Sequence, residues 1–178
     1  VKLAILSYNG RNALGDGCQE AANSGLSGLG RVFVAALDRA GIVIDLSHAG
    51  ERTSLDTIDA SANPVVFSHS NPKALYPHVR NITDAMIRAC AARGGAIGLN
   101  SLGFMLDAEN RSTPEKMAAH IGHVADLVGP EHVALGLDWN FYDPFMQRMF
   151  REHPAMAKLG YPPPPWDSLG PRRVVSIV

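Results

Sequence analysis

Two histidines in this chain stand in matching contexts. Each follows a short apolar run through the dipeptide Ser-His: His48 after residues 42–46, and His69 after residues 65–67. The segment between them has helical spacing, so the stretch reads as a βαβ unit with parallel strands. Parallel pairing brings both histidines to one edge of the sheet, and neighbouring strands lie about 4.8 Å apart. Two imidazoles placed there can share a metal ion. A neutral imidazole is a common zinc ligand, and a metal-held water is a nucleophile near neutral pH. Two further apolar runs end in Asn100 and Asp138. Asp138 has three roles open to it: a cap on the following turn, a metal ligand, or a proton carrier. Arg80, in the polar loop after His69, carries the guanidinium fork that suits a substrate carboxylate.

The other titratable groups carry less pattern. Asp45 interrupts an apolar strand on the face opposite His48 and is expected to be a buried, paired structural carboxylate. His120 and His123 lie one helical turn apart in mid-helix, where a structural or surface role is expected. His78, His132 and His153 have no supporting pattern. The Ser68-His69-Ser70 cluster comes without a GxSxG elbow, so it is not read as a serine-hydrolase site. Cys18 and Cys90 are too few for a disulfide framework and are expected to be idle thiols.

The elements that must position these groups alternate along the chain. Residues 3–6 read as a strand that empties into SYNGRNALGDGCQEAANSG. A loop that long, rich in Gly, Asn and Asp, is expected to be functional. Residues 27–40 then show a one-face apolar pattern through Leu29, Val32, Phe33, Ala36, Leu37 and Ala40, with Gly41 as the stop. After the strand at 42–46, Thr53 or Ser54 is the expected cap of a helix that ends before Asn63-Pro64. Thr83 opens a helix through Met86, Ile87, Cys90 and Ala91 that closes at Gly94-Gly95, and residues 96–99 form the next strand. Thr113-Pro114-Glu115 starts a helix with Met117, Ile121, Val124 and Leu127 inward, followed by a strand at 133–137. Ala96 and Gly98 share a face with Asn100, as Ala134 and Gly136 do with Asp138, which is expected either to leave room for a ligand or to fit the tapering interior of a barrel.

Five nearly uninterrupted apolar strands alternating with helices predict a parallel α/β sheet. Five strands are most of a (β/α)8 barrel, which typically takes about 250 residues. An open doubly wound sheet fits the length, but no GxGxxG or P-loop turn is present. With 178 residues, 46% hydrophobic and 19% charged, the composition is that of one globular domain. A net charge of −1 gives no electrostatic case for nucleic acid or an acidic membrane. No apolar run approaches the roughly 18–20 residues of a bilayer span and none has the form of a signal peptide, which slightly favours the cytoplasm. The chain opens on Val1 directly before an apolar run, so a preceding segment is expected.

The motifs together are more specific than any one of them. IDLSH (residues 44–48), PVVFSHSN (64–71), RNITD (80–84) and HIGHVADLVGPEHVALGLDW (120–139) resemble, in order and spacing, the membrane dipeptidase (renal dipeptidase) family of zinc metallopeptidases. The opening LSYNGRNALGDG and the GLSGLGR helix start resemble its bacterial members, so the likeness runs over residues 3–143. It implies a TIM barrel of the metal-dependent amidohydrolase type, with about five of the eight strands in this chain. Residues 1–143 would be the C-terminal portion of that domain and 144–178 an irregular proline-rich tail.

The same resemblance implies a two-zinc centre that hydrolyses dipeptides, including those with a D-residue at the C-terminal position, by a metal-activated hydroxide. On the matching positions, His48 and His69 would be ligands of the second zinc and Arg80 would hold the substrate carboxylate. Asp138 would lie beside the first zinc and pass a proton to the leaving amine. Tyr8 stands where the renal enzymes have a histidine that contacts the tetrahedral intermediate, and its hydroxyl is a donor there. The family's His-x-Asp pair and bridging glutamate are not found, since no histidine here is followed two residues later by aspartate. The chain therefore reads as half of a two-metal site, with little activity expected of it alone. A dipeptide substrate and a homodimer are the expected partners, and nucleic acid is not. The alternatives are a related amidohydrolase or lactonase acting on another small substrate, and a non-catalytic fragment.

Overall fold

Each apolar run becomes a strand, and the strands pair in the order in which they occur. The computed structural model describes residues 2–138 together with Arg148 and Glu152. The strands are β1 (Leu3–Ile5), β2 (Val43–Asp45), β3 (Val66–Phe67), β4 (Ala96–Leu99) and β5 (Val133–Leu135). All neighbours are parallel and the sheet order is β1-β2-β3-β4-β5. A doubly wound sheet reverses direction at a switch point, whereas barrel strands follow one another without reversal. This order is the barrel's.

The helices are α1 (Gly28–Arg39), α2 (Glu51–Ala60), α3 (Asp84–Ala92), a short α4 (Gly103–Leu106) and α5 (Pro114–Val128). They pack in succession, α1 on α2, α2 on α3 and α3 on α5, as the outer layer of a barrel requires. Strand side chains such as Ile44, Phe67 and Ile97 meet helix side chains such as Val34, Ile87 and Val124 in one core. Full burial of each such side chain contributes about 1.5–3 kcal/mol. Among the described residues no helix is long and apolar enough to cross a membrane.

Three helix starts follow the sequence reading. Ser27 accepts from Gly30 N, Thr83 from Met86 N and Thr113 from Lys116 N, each cap contributing about 1 kcal/mol. The start of α2 does not. Its N-cap is Gly50, not Thr53 or Ser54, and both of those side chains are buried inside the helix. The Thr53 hydroxyl is engaged elsewhere, accepting from Asp16 N in the loop after β1.

The buried face of α1 also differs from expectation. Gly30, Val34 and Leu37 face the core, while Leu29 and Val32 are 57% and 63% exposed. The cause is Gly30, where a Cβ would overlap the Leu14 carbonyl and the Leu26 side chain. The helix approaches through that bare position and turns its more apolar stripe outward. The proline-rich segment 144–178 lies, Arg148 and Glu152 apart, outside the described residues.

Candidate active site

Strands β2 and β3 lie side by side, with Asp45 opposite Val66, and each runs on into its Ser-His pair. The two imidazoles meet there: His48 Nε2 lies 2.9 Å from His69 Nε2. The other nitrogen of each ring decides what that approach means. His48 Nδ1 is 2.6 Å from the side-chain oxygen of Asn9, which can only accept, so Nδ1 carries the proton. His69 Nδ1 is 2.6 Å from Ser68 Oγ. The Ser68 hydroxyl itself donates to Asp45 Oδ2 at 2.5 Å, so here too Nδ1 is the donor. Both Nε2 lone pairs then point at the same space. Lone pairs 2.9 Å apart repel unless a cation lies between them. Ligand nitrogens about 2.0–2.1 Å from a tetrahedral zinc stand about 3.3 Å apart, so a slight opening of the pair accommodates the ion. The donor set fits a metal.

Burial keeps both rings in the neutral form that binds metal. His48 is only 4% exposed. Its burial, then the Arg80 charge, then His69 push its pKa down to about 2. His69 is lowered by burial; Asp138 opposes this, Arg80 adds to it and Asp45 opposes it. The backbone is strained at the same place. His48, Asn9 and Asp138 adopt φ values of 74°, 59° and 51°, in the left-handed region that non-glycine residues avoid. Such residues cost about 1–3 kcal/mol each and persist where their surroundings hold them.

What holds His48 is the loop after β1. Cys18 N donates to the His48 carbonyl at 2.8 Å, and Gly50 N donates to the Asp16 carbonyl at 2.9 Å. Arg11 Nε pairs with Asp16 Oδ1 at 2.6 Å and keeps the loop folded on itself. The Tyr8 ring stacks on the His48 ring, with centroids 4.0 Å apart and planes at 22°. Arg80 is buried in the wall of a cavity of about 140 Å³ that His48, Cys18, Glu51 and Lys73 also line. Asp138 closes the row, its Oδ2 accepting from Asn100 Nδ2 at 3.3 Å while its charge acts on His69.

Tyr8, His48, His69, Arg80 and Asp138 thus gather at the C-terminal ends of the strands. Sequence reading missed Asn9, and it read Asp45 as a buried, paired structural carboxylate on the face opposite His48. Asp45 is buried as expected, but its partners are hydrogen-bond donors: Ser47 N, Ser68 N and the Ser68 hydroxyl. The glycines next to the site also mean something other than open space. A Cβ at Gly98 or Gly136 would overlap the Ser68 carbonyl, so these positions admit backbone rather than ligand.

The remaining described histidines serve the fold. His120 Nε2 lies 3.3 Å from the Leu106 carbonyl, His123 Nε2 2.9 Å from Asp84 Oδ1 and His132 Nδ1 2.7 Å from the Gly95 carbonyl. His78 packs against Phe104 and accepts from Arg80 N, and His153 lies outside the described residues. Cys18 and Cys90 are free, and burial pushes the Cys90 thiol up to about 12. Among the described residues no three His, Cys, Asp or Glu side chains converge as a metal-binding group.

The family model for membrane dipeptidase (peptidase family M19) matches residues 1–150. The chain belongs to the membrane dipeptidase family. A dipeptidase of Claviceps purpurea is 33% identical over 143 residues, 79% of this chain and 34% of its own length. An amidohydrolase from Pseudomonas aeruginosa superposes with a TM-score of 0.79 at 34% identity, over 90% of this chain and 48% of that one. A metallopeptidase from Rhodobacter sphaeroides, liganded with a phosphinate mimic of the dipeptide L-Ala-D-Ala, superposes with a TM-score of 0.72 at 28% identity. That match covers 78% of this chain and 42% of the metallopeptidase. The five parallel strands are therefore a stretch of the membrane dipeptidase barrel, and the chain spans about a third of the length of the Claviceps purpurea dipeptidase.

Proposed function

We propose that the protein is a zinc metallopeptidase that hydrolyses dipeptides, with His48 and His69 as ligands of one zinc. The observation that carries this is the pair of Nε2 atoms 2.9 Å apart, both left unprotonated by the partners of Nδ1. Zinc bound there supplies Lewis acidity, polarising the scissile carbonyl and making water a nucleophile at neutral pH.

The chain's own side chains do the rest. Arg80 receives the substrate's terminal carboxylate from the wall of the cavity it shares with His48. Its burial removes competing water and strengthens that pairing. Asp138, with one oxygen held by Asn100 Nδ2, turns its carboxylate to the proton that must reach the leaving amine. Tyr8, stacked on His48, offers its hydroxyl as a donor to developing negative charge on the substrate oxygen. Dipeptides with a D-residue at the C-terminal position belong to the proposed range, supported by the L-Ala-D-Ala mimic held by the Rhodobacter sphaeroides relative. The further ligands of a two-zinc centre, a His-x-Asp pair and a bridging glutamate, would come from outside this chain. A homodimer is part of the proposal, and a monomer in sedimentation velocity would remove it.

The full-length protein is expected to cleave small dipeptides in a zinc-dependent manner. Asp138→Asn should lower kcat/KM by at least about 100-fold, the lower range for loss of a general acid, and His48→Ala should lower it through loss of zinc. Assays against lactones and cyclic amides separate this reading from that of a related amidohydrolase. Full dipeptidase activity in both variants would overturn it.

A further inference from the structure

The serines of the two Ser-His pairs have no part in the metal reading, yet their hydroxyls are bonded to one another and to their neighbours at the strand ends. The His69 backbone N donates to Ser47 Oγ at 3.0 Å. Ser47 Oγ lies 3.3 Å from Ser68 Oγ. Ser68 Oγ in turn lies 2.5 Å from Asp45 Oδ2 and 2.6 Å from His69 Nδ1. A hydroxyl has one proton to give and two lone pairs to fill. Ser68 Oγ donates to Asp45 Oδ2, so its one proton is spent there. Both Ser68 lone pairs are then left to accept, one from the Ser47 hydroxyl and one from His69 Nδ1–H. Every hydrogen bond in the chain has one permitted direction, and the direction ends in a bare Nε2.

We infer that Asp45 and Ser68 are positioning residues, a carboxylate–hydroxyl–imidazole relay that fixes the Nδ1–H tautomer of His69 and aims its Nε2 at the metal. Metal-binding histidines commonly donate their second nitrogen to a carboxylate or carbonyl, which fixes tautomer and ring orientation. Here a serine hydroxyl is inserted between carboxylate and ring, because Asp45 lies on β2 and His69 follows β3. The relay is clamped from below as well. The Ser68 carbonyl sits where a Cβ on Gly98 or Gly136 would be, and Ser70 N donates to the Gly98 carbonyl at 2.8 Å. Ser68 therefore cannot drift away from either partner.

This rests on the proposed metal role of His69, but its first test does not need metal. In the metal-free full-length protein labelled with 15N-histidine, His69 should show the neutral Nδ1-protonated pattern. Ser68→Ala and, as an independent second variant, Asp45→Asn should shift it towards the Nε2-protonated form while His48, held by Asn9, stays unchanged. Zinc affinity measured by competition with a chromophoric chelator should fall about 10–100-fold in both variants. A His69 that is Nε2-protonated in the wild type, or that keeps Nδ1–H in Ser68→Ala, would overturn the inference. A His69→Ala protein with wild-type zinc affinity would instead overturn the metal role of His69, and the tautomer readout would still decide the relay.

Discussion

His48 stays neutral and in a left-handed backbone because its neighbours leave it no alternative: Asn9 below, Tyr8 across its ring and Arg80 beside it. The same Arg80 charge acts on His78, which lies outside the histidine pair. Burial, then Arg80, then Lys73 lower the His78 pKa to about 4. The unfolded chain's histidine, near its usual value of about 6.5, takes up a proton that the folded one refuses. His78 therefore makes the protein less stable as pH falls from about 6.5 towards about 4, with no further change below. His78→Gln should lower stability at pH 7 through lost packing against Phe104, and that deficit should shrink in urea melts at pH 5. A deficit constant with pH would show that His78 does not titrate on unfolding. At this scale the sequence was legible where a residue type repeated in a repeated context, as at His48 and His69. Asn9 was not legible, since an asparagine among glycines reads as a turn former, and its partner lies 39 positions away.

Elements were legible where their signals are local. The hydroxyl caps of α3 and α5 and the five apolar runs need only neighbouring residues to read. The inward face of α1 was not legible, because Gly30 sets it through a contact with Leu14 that exists only once the loop has folded. The small residues at the ends of β4 and β5 left two readings open, ligand space or a tapering interior, and only the folded contact excludes the first. Alternation places Gly98 and Gly136 on the faces of Asn100 and Asp138, but the space beside them is taken by the Ser68 backbone. A methyl group there has nowhere to go. Gly98→Ala and Gly136→Ala should each destabilise the protein by about 1–3 kcal/mol through overpacking, and should weaken zinc binding by displacing His69. Gly122, in α5, meets nothing within 4 Å. Gly122→Ala is the contrasting case and should stabilise by about 0.5–1 kcal/mol through helix propensity. Urea midpoints give all three, and a neutral Gly136→Ala would show that the Ser68 carbonyl can move aside.

For the whole molecule, strand order separates barrel from open sheet, and the lack of a third ligand beside the proposed pair among the described residues bears on what the 178-residue chain can do alone. Both outer strands are open among the described residues, and Leu3, Ile5 and Leu135 on them are 47%, 38% and 68% exposed. Apolar side chains on an unpaired parallel edge invite pairing with further strands. The chain covers 48% of the length of its Pseudomonas aeruginosa relative, so such strands have a natural source in a family-length protein. Function should follow the same division. Two imidazoles hold zinc far more weakly than the three or four ligands of an ordinary site. Expressed alone, the 178 residues should bind at most one zinc, release it to a mild chelator and leave dipeptides intact. The full-length protein should retain two zincs through dialysis and cleave them. Metal analysis beside a dipeptidase assay makes the comparison. Two tightly held zincs on the isolated chain would mean that it supplies ligands beyond His48 and His69. No zinc on the full-length protein would leave the barrel as a binding or structural module, and the histidine pair would have to be read as a proton-sharing contact instead.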